Sequence, residues 1–307
     1  MSKPTVQSVW RVAVIGTGVV GASWAAYFLA YGLDVAASDP APGAEDYLRA
    51  FIGRARPDLA RLGLDGNGKL SFHAQAEEAV AEADFIQENA PEREDLKRGL
   101  LARLDRAASP DAIIASSTSS LLRSGMVQDC ATPERIIVAH PFNPPHLVPL
   151  VELVGEPAAT RRAADFYSAI GKRPVVLKRE AVGHIANRLT AALWREALYI
   201  LEQGIAEVED IDAAVAYGPG PRWSHMGPFM TYHLGGGPGG LQHYMEHLGP
   251  SQVRRWQDLG TPTMNEELTR RAVEGVLREA AGRPIEELER ERDEALIRWQ
   301  MAVRKPA

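Results

Sequence analysis

A glycine-punctuated stretch near the N-terminus constrains the fold of this chain more than any other feature. Residues 12–15 form an apolar run with the length and composition of a buried parallel strand. Gly16, Gly18 and Gly21 follow at once, and an apolar helical pattern then covers residues 19–30. A strand, a G-x-G-x-x-G turn and a helix in this order are typical of a dinucleotide-binding βαβ unit. The stretch therefore predicts a Rossmann-type fold.

Each glycine of this turn has a distinct physical task. Gly16 permits a tight turn, Gly18 lets the backbone approach a pyrophosphate, and Gly21 lets the helix pack closely on the strand. The free N–H groups and positive dipole end of the following helix would hold the phosphates. These three positions are therefore our predicted phosphate-binding residues.

The next apolar run indicates which dinucleotide is bound. Residues 33–38 read as a second strand and end at Asp39. An acidic side chain at this place can hydrogen-bond the ribose hydroxyls and repels a 2′-phosphate. Asp39 therefore favours NAD over NADP. The alternative is that Asp39 only caps the turn before Pro40.

The first part of the chain alternates strand-like and helix-like segments, whereas the part after Gly183 has only helical periodicity. The alternation predicts an α/β, doubly wound sheet. We predict an NAD-binding Rossmann-type domain over residues 1–183 and an all-helical domain for substrate binding and dimerisation over residues 184–307. The further predicted strands cover residues 70–72, 84–88, 112–115, 136–139, 148–154 and 174–177, and the main helices cover residues 44–62, 94–106, 160–170, 185–203, 208–217, 266–281 and 285–303.

Large apolar residues in the helical part predict a homodimer, because such a surface often pairs with a copy of itself. The alternative is that these helices pack only against the Rossmann-type domain of the same chain.

Composition narrows the class of protein further. The net charge is −6 without a concentrated basic face, which argues against a nucleic-acid partner. No apolar run has the length of a membrane span, and the N-terminus lacks the apolar core of a signal peptide. Cys130 is the one cysteine, so no internal disulfide and no cysteine-based metal cluster is possible. We therefore expect a cytoplasmic protein.

A histidine pair in the second half was weighed as a metal site. His243, Glu246 and His247 match the H-x-x-E-H spacing of some zinc peptidases. The pair follows a glycine-rich segment in a chain that already reads as Rossmann-type, so we expect no metal.

Polar side chains follow the predicted strands, where ligands bind in doubly wound folds. Residues 117–119 follow the fifth strand, His140 follows the sixth, and Glu152 comes twelve residues later. A neutral imidazole can take a hydroxyl proton near pH 7, and a carboxylate can fix its tautomer. This set favours oxidation of an alcohol by hydride transfer. The alternative is a structural histidine at the end of a strand.

Several motifs together make nearly the whole chain resemble the 3-hydroxyacyl-CoA dehydrogenase family. They are G-T-G-V-V-G, E-N-A-P-E-R-E-D-L-K, S-S-T-S-S-L, H-P-F-N-P-P, L-V-E and G-H-I-A-N-R. The resemblance implies a helical C-terminal domain used for dimerisation. It also implies that His140 is the base, that Glu152 is its partner, and that Ser119 and Asn187 contact the reacting oxygen of the substrate. The cofactor contacts that it implies fall on Asp39, Glu92, Lys97, Ser119 and Asn143.

The same resemblance bears on the substrate. Acyl-CoA members of the family have a longer, lysine-rich helical segment after the second strand. Here the corresponding segment, residues 44–69, is short, and its only lysine is Lys69. Residues 139–154 resemble the branch that acts on small hydroxy acids, such as L-gulonate and L-carnitine. Three C-terminal segments resemble most closely the members that oxidise L-carnitine, and they cover residues 192–198, 217–223 and 229–234.

Carnitine carries a quaternary ammonium, which proteins hold against aromatic faces by cation–π attraction. Trp194, Trp223, Phe229 and Tyr232 are the aromatic residues we expect to form such a cage, and Arg188 or Arg222 could pair with the substrate carboxylate. The alternative is that these aromatic residues serve packing or the dimer interface. A different class also stays open, namely a non-catalytic NAD-binding structural protein.

Overall fold

The computed structural model describes residues 11–303, which fall into two structural units. The first unit extends to Arg188 and also includes Asp293–Ala302, and the second contains Leu189–Arg292. The predicted boundary after residue 183 separates NAD binding from substrate binding and dimerisation, and this division of functions stays a prediction.

An eight-stranded sheet forms the frame of the first unit. Its strands lie in the order β3-β2-β1-β4-β5-β6-β7-β8. All neighbouring strands are parallel except β6 and β7, which are antiparallel. The predicted α/β, doubly wound fold is therefore confirmed. The strands are β1 (Arg11–Ile15), β2 (Asp34–Ser38), β3 (Leu70–His73), β4 (Phe85–Glu88), β5 (Ile113–Ser116), β6 (Ile136–Pro141), β7 (Leu150–Val154) and β8 (Arg173–Val176).

Helices cover both faces of this sheet, as the near-continuous apolar strands require. Alternate residues of β1 show the two faces, because Val12 and Val14 pack in one core and Ala13 and Ile15 pack in the other. Trp24 is the largest side chain of the first core and stacks on Phe28 with ring centroids 5.1 Å apart. The helices are α1 (Val19–Tyr31), α2 (Ala44–Arg61), α3 (Ala76–Val80), α4 (Glu94–Ala107), α5 (Arg123–Met126) and α6 (Pro157–Ala169).

The second unit is helical, as the loss of strand signals predicts. Its small core contains Leu198, Leu201, Val208 and Leu268. None of the helices within residues 11–303 is long and apolar enough to cross a membrane. The helices are α7 (Ala186–Glu202), α8 (Val208–Tyr217), α9 (Gly220–Trp223), α10 (Pro228–Gly235), α11 (Gly240–His247), α12 (Gly249–Asp258), α13 (Glu266–Ala280) and α14 (Ile285–Val303).

The last part of α14 belongs to the first unit. There Ile297 packs with Leu62 and Leu147. The Gln300 side chain donates a hydrogen bond to the Leu147 carbonyl. These contacts fix the segment between β6 and β7, on which the geometry of the site depends.

Candidate active site

A cavity of about 450 Å³ opens at the carboxyl ends of β4, β5 and β6. This is the edge of a doubly wound sheet where ligands bind. The cavity brings together six of the residues singled out from the sequence. They are Glu92, Lys97, Ser119, His140, Asn143 and Asn187.

His140 and Glu152 form a buried pair across the antiparallel strands. His140 lies directly opposite Glu152 in the register of β6 and β7, so both side chains point to the same face. His140 Nδ1 is 3.0 Å from Glu152 Oε2. The prediction that the sixth strand ends before His140 is wrong, because β6 continues to Pro141. This extension is what places the histidine against the carboxylate.

The second oxygen of Glu152 is also occupied. Oε1 accepts the backbone N–H groups of Ile185 and Ala186, at 2.9 and 3.0 Å. Burial raises the pKa of Glu152, but the hydrogen bonds from His140 and from these two N–H groups outweigh it and lower the pKa below its usual value. Glu152 is therefore held as a carboxylate.

This pairing assigns the tautomer of His140. A carboxylate only accepts hydrogen bonds, so Nδ1 carries the proton and Nε2 keeps its lone pair. The amide nitrogen of Asn187 lies 3.5 Å from that Nε2 and 3.5 Å from the Ser119 carbonyl oxygen. His140 Nε2 is therefore an available base beside an amide donor.

Glu92 organises the loop after β5. One of its oxygens accepts hydrogen bonds from Thr118 Oγ1, at 2.6 Å, and from the N–H groups of Ser119 and Ser120, both at 2.9 Å. Ser119 Oγ also donates to it, at 3.2 Å. The Ser119 hydroxyl can rotate, so its proton can be offered to a ligand oxygen in the cavity instead of to Glu92.

Lys97, which was predicted to contact the cofactor, is almost completely buried. Its Nζ lies 2.8 Å from Glu88 Oε1 and 2.9 Å from the Ala90 carbonyl oxygen. Glu88 and Lys97 are both almost completely buried, and the Ser116 hydroxyl and the Ala90 N–H also donate hydrogen bonds to Glu88. Our sequence reasoning did not single out Glu88. Its position at the end of β4, nine residues before a lysine on a helix, was the available signal.

The glycine turn has the geometry that a dinucleotide needs. Gly16 has a φ of +83°, and a Cβ on Gly21 would lie 1.8 Å from the Gly16 carbonyl oxygen. A Cβ on Gly18 would meet no protein atom within 4 Å, so the space beside it is open. No side chain caps the first turn of α1. Its N–H groups can therefore receive a phosphate, and the residues fit NAD.

Asp39 follows β2 and already makes contacts inside the protein. Its carboxylate accepts the N–H of Thr17 at 2.7 Å and that of Ala41 at 2.9 Å. The second contact is the turn-capping role that was the alternative for Asp39. Oδ2 also accepts the Thr17 hydroxyl at 3.4 Å, whereas Oδ1 retains a further lone pair, so a ribose contact stays a prediction.

The predicted substrate aromatics lie in the second unit and are exposed there. Trp194 lines a separate cavity of about 500 Å³ together with Tyr217. Tyr232 lies 4.8 Å from the ring of Tyr244, centroid to centroid. Within residues 11–303 no ring contact joins any two of the four predicted cage residues, which are Trp194, Trp223, Phe229 and Tyr232. Their role stays a prediction.

The two arginines predicted for the substrate carboxylate belong to different units. Arg188 ends the main segment of the first unit, and its Nη1 is 3.4 Å from the Val182 carbonyl oxygen. Arg222 lies on α9 in the second unit. Either role stays a prediction.

Two other groups were considered from the sequence. His243 and His247 do share a face of α11, with ring centroids 4.0 Å apart. Within the part of the chain that the structure describes, no group of three His, Cys, Asp or Glu residues could hold a metal ion. Burial, Asp105 and Asp129 raise the pKa of the Cys130 thiol to about 11. The thiol is therefore poorly reactive.

His184 is a further residue of this site. It is buried, and its ring centroid lies 5.0 Å from that of His140. Its Nε2 donates to the Thr118 carbonyl oxygen at 3.1 Å. Burial and the neighbouring His140 lower its pKa, against the opposing effect of the Thr118 carbonyl. His184 is therefore a neutral imidazole.

Comparison with known proteins agrees with this geometry. The 3-hydroxyacyl-CoA dehydrogenase NAD binding domain matches residues 11–181, and the C-terminal domain of the same family matches residues 183–279. An L-carnitine dehydrogenase of Bacillus cereus is 48% identical, over 94% of this chain and 91% of that protein. One of Pseudomonas aeruginosa is 47% identical, over 95% and 94%.

A solved structure gives the same result for the fold. It is 5-formyl-3-hydroxy-2-methylpyridine 4-carboxylic acid 5-dehydrogenase, an NAD⁺-dependent dismutase. It superposes with a TM-score of 0.81 at 28% identity, over 97% of this chain and 100% of that one. The chain uses NAD and belongs to the 3-hydroxyacyl-CoA dehydrogenase family.

Proposed function

We propose that the protein oxidises the 3-hydroxyl group of L-carnitine to 3-dehydrocarnitine and reduces NAD⁺ to NADH. The observation that carries the chemistry is the His140–Glu152 pair, in which Nε2 of the histidine is left as a base at the cavity. The observation that supports the substrate is similarity to L-carnitine dehydrogenases of 45–49% identity over most of the chain.

The residues of the first unit would act as follows. His140 Nε2 takes the proton of the substrate hydroxyl, and Glu152 stabilises the imidazolium that forms. The Asn187 amide and the Ser119 hydroxyl position the substrate oxygen. When NAD⁺ is bound it supplies the acceptor for the hydride that leaves the same carbon. No metal takes part in this scheme.

Cofactor binding in this proposal follows the predicted contacts. Gly16, Gly18 and Gly21 and the start of α1 hold the pyrophosphate. Asp39 selects NAD through the ribose. The contacts proposed nearer the nicotinamide are Glu92, Lys97, Ser119 and Asn143, all of which line the cavity. Residues 1–183 are the proposed NAD-binding domain.

Substrate recognition is assigned to residues 184–307. The quaternary ammonium of carnitine can donate no hydrogen bond, so aromatic faces are its natural partners. Trp194, Trp223, Phe229 and Tyr232 are the proposed cage. Arg188 or Arg222 is the proposed partner of the substrate carboxylate.

We further propose a cytoplasmic homodimer. The second unit exposes large apolar side chains, and Phe229, Trp256 and Leu277 are each more than 60% exposed. Large apolar side chains exposed in this number support an interface with a second copy of the chain. Light scattering of the purified protein should give twice the mass of 33.5 kDa. A monomer at micromolar concentration would contradict the dimer.

The substrate is tested by comparing NADH formation with L-carnitine, D-carnitine, L-gulonate and 3-hydroxybutyryl-CoA under one set of conditions. The proposal expects turnover with L-carnitine and little with the other three. Turnover with L-gulonate or the CoA ester would keep the roles of His140 and Glu152 but return the aromatic residues to packing. NADH binding without turnover of any substrate would indicate a non-catalytic protein.

A further inference from the structure

The segment between β8 and α7 has an unusual backbone conformation at the site. Gly183 and His184 both have left-handed φ values, +74° and +51°. Within residues 11–303 the only other non-glycine residue with a positive φ is Ala281. Histidine adopts this region more readily than most residues, but a side chain there needs support from its surroundings.

This turn sets the direction of the next two backbone N–H groups along the chain. In a left-handed turn successive N–H groups can converge on one anion. Here the groups of Ile185 and Ala186 converge on Oε1 of Glu152, at 2.9 and 3.0 Å. This leaves Oε2 facing His140 Nδ1. The orientation of the catalytic carboxylate therefore depends on the turn.

The His184 side chain connects this turn to the loop after β5 through a hydrogen bond. Its Nε2 donates a hydrogen bond to the carbonyl oxygen of Thr118, and the Thr118 hydroxyl in turn donates one to Glu92. Nδ1 of His184 has no hydrogen-bond partner within the described residues, and the residue is only 3% exposed. Nε2 carries the proton toward the carbonyl oxygen, and a second proton on the buried Nδ1 would have no acceptor, so the ring stays neutral beside the imidazolium that forms on His140.

We propose that His184 is a positioning residue, whose hydrogen bond to Thr118 fixes the Gly183–His184 turn and thereby holds Glu152 in the orientation that makes His140 a base. This inference depends on the proposed function only in the rate measurements, which require that the protein oxidises L-carnitine. The residue touches neither substrate nor cofactor in this scheme. It acts through Glu152.

Three substitutions of His184 separate the hydrogen bond from the backbone. His184→Phe keeps a planar ring but removes the donor. His184→Asn tolerates the left-handed backbone, but its shorter amide does not reach Thr118. His184→Gln places an amide nitrogen at about the distance of Nε2. The matched control is Ala281→Gly, which changes the other left-handed non-glycine residue, far along the chain in the second unit.

The rate measurement uses NADH formation from L-carnitine. Phe and Asn at position 184 are expected to lower kcat about tenfold or more, because a small misplacement of a catalytic group has effects of this size. NADH affinity and the KM for L-carnitine should change less than about twofold, and Gln should restore most of kcat. The Ala281→Gly control should match wild type. Wild-type kcat per folded protein in both the Phe and Asn variants would overturn the proposal.

The second measurement needs no substrate. A proton shared between His140 Nδ1 and Glu152 gives a downfield proton NMR signal, which His140→Gln assigns by removing it. In His184→Asn the signal should shift or disappear, and an unchanged signal would overturn the proposal. If wild type fails to oxidise L-carnitine while this signal still responds to His184→Asn, the proposed function fails and the positioning role stands.

Discussion

Replacing Glu152 with glutamine should disable the base without disturbing the shape of the site. Oε1 of Glu152 accepts two backbone N–H groups, so the glutamine must place its oxygen there. Its NH₂ group then faces Nδ1 of His140. That nitrogen must become the acceptor, and the proton moves to Nε2. The imidazole is left in the tautomer that cannot take a proton from the substrate at Nε2.

The size of the effect follows from these contacts. Restoring the active tautomer sets an N–H of the amide against Nδ1–H, which leaves both buried donors without an acceptor, at about 1–3 kcal/mol each. Turning the amide instead leaves two backbone donors without an acceptor, at about 1–3 kcal/mol each. The two routes are alternatives, and each costs about 2–6 kcal/mol, which corresponds to a fall in kcat of about 30-fold to 10⁴-fold.

The assay is NADH formation from L-carnitine, with NADH binding followed separately by fluorescence. NADH affinity should stay within about twofold, because Glu152 does not hold the cofactor in this account. Glu156→Gln is a matched control, since its carboxylate is half-exposed and four residues away. A kcat for Glu152→Gln within about threefold of wild type would refute the reasoning about the tautomer.

Four further substitutions test the site and the fold that supports it. His140→Ala should abolish turnover and leave NADH binding intact, and lost NADH affinity in the folded variant would place His140 in a cofactor role instead. Gly21→Ala should lower the free energy of unfolding by about 1–3 kcal/mol, because its Cβ would overlap the Gly16 carbonyl. Gly18→Ala should be as stable as wild type but should bind NADH about tenfold more weakly. Equal thermal stability of the two variants would contradict this. Burial raises the pKa of Asp105, but hydrogen bonds from Thr132, Arg135 and Ala131 lower it overall, so its stabilisation is complete above the unfolded value near 4 and is lost as the pH falls through the folded value. Asp105→Asn should therefore lose stability at pH 7 and show less change between pH 5 and pH 3, and an unchanged acid denaturation curve would count against it.

The sequence allowed the glycine turn and the positions of the strands along the chain to be predicted, because both depend on local patterns. Gly16, Gly18 and Gly21 punctuate a strand and a helix in a way that few other folds require. The contact between His140 and Glu152 was harder to obtain from the residues alone. It depends on β7 running antiparallel to β6, and a spacing of twelve residues does not encode the direction of a strand.

Other features could not be predicted for identifiable reasons. The helices of residues 228–258 are only 8, 8 and 10 residues long and begin at proline or glycine, so each offers too few turns for its apolar repeat to be distinguished from a loop. The Glu88–Lys97 pair depends on the packing of α4 against the ends of β4 and β5, and lysine is almost never this buried without a partner. The left-handed turn at His184 carries no signal beyond the preceding glycine.

The measurement that tests the account most directly follows the hydrogen on the reacting carbon. L-carnitine with deuterium at C3 is incubated with the enzyme and NAD⁺, and the NADH is analysed by mass spectrometry. The account predicts that one deuterium appears in the NADH and that the deuterated substrate reacts no faster than the unlabelled one. NADH without deuterium, or no NADH at all from a protein that binds NAD⁺, would contradict it.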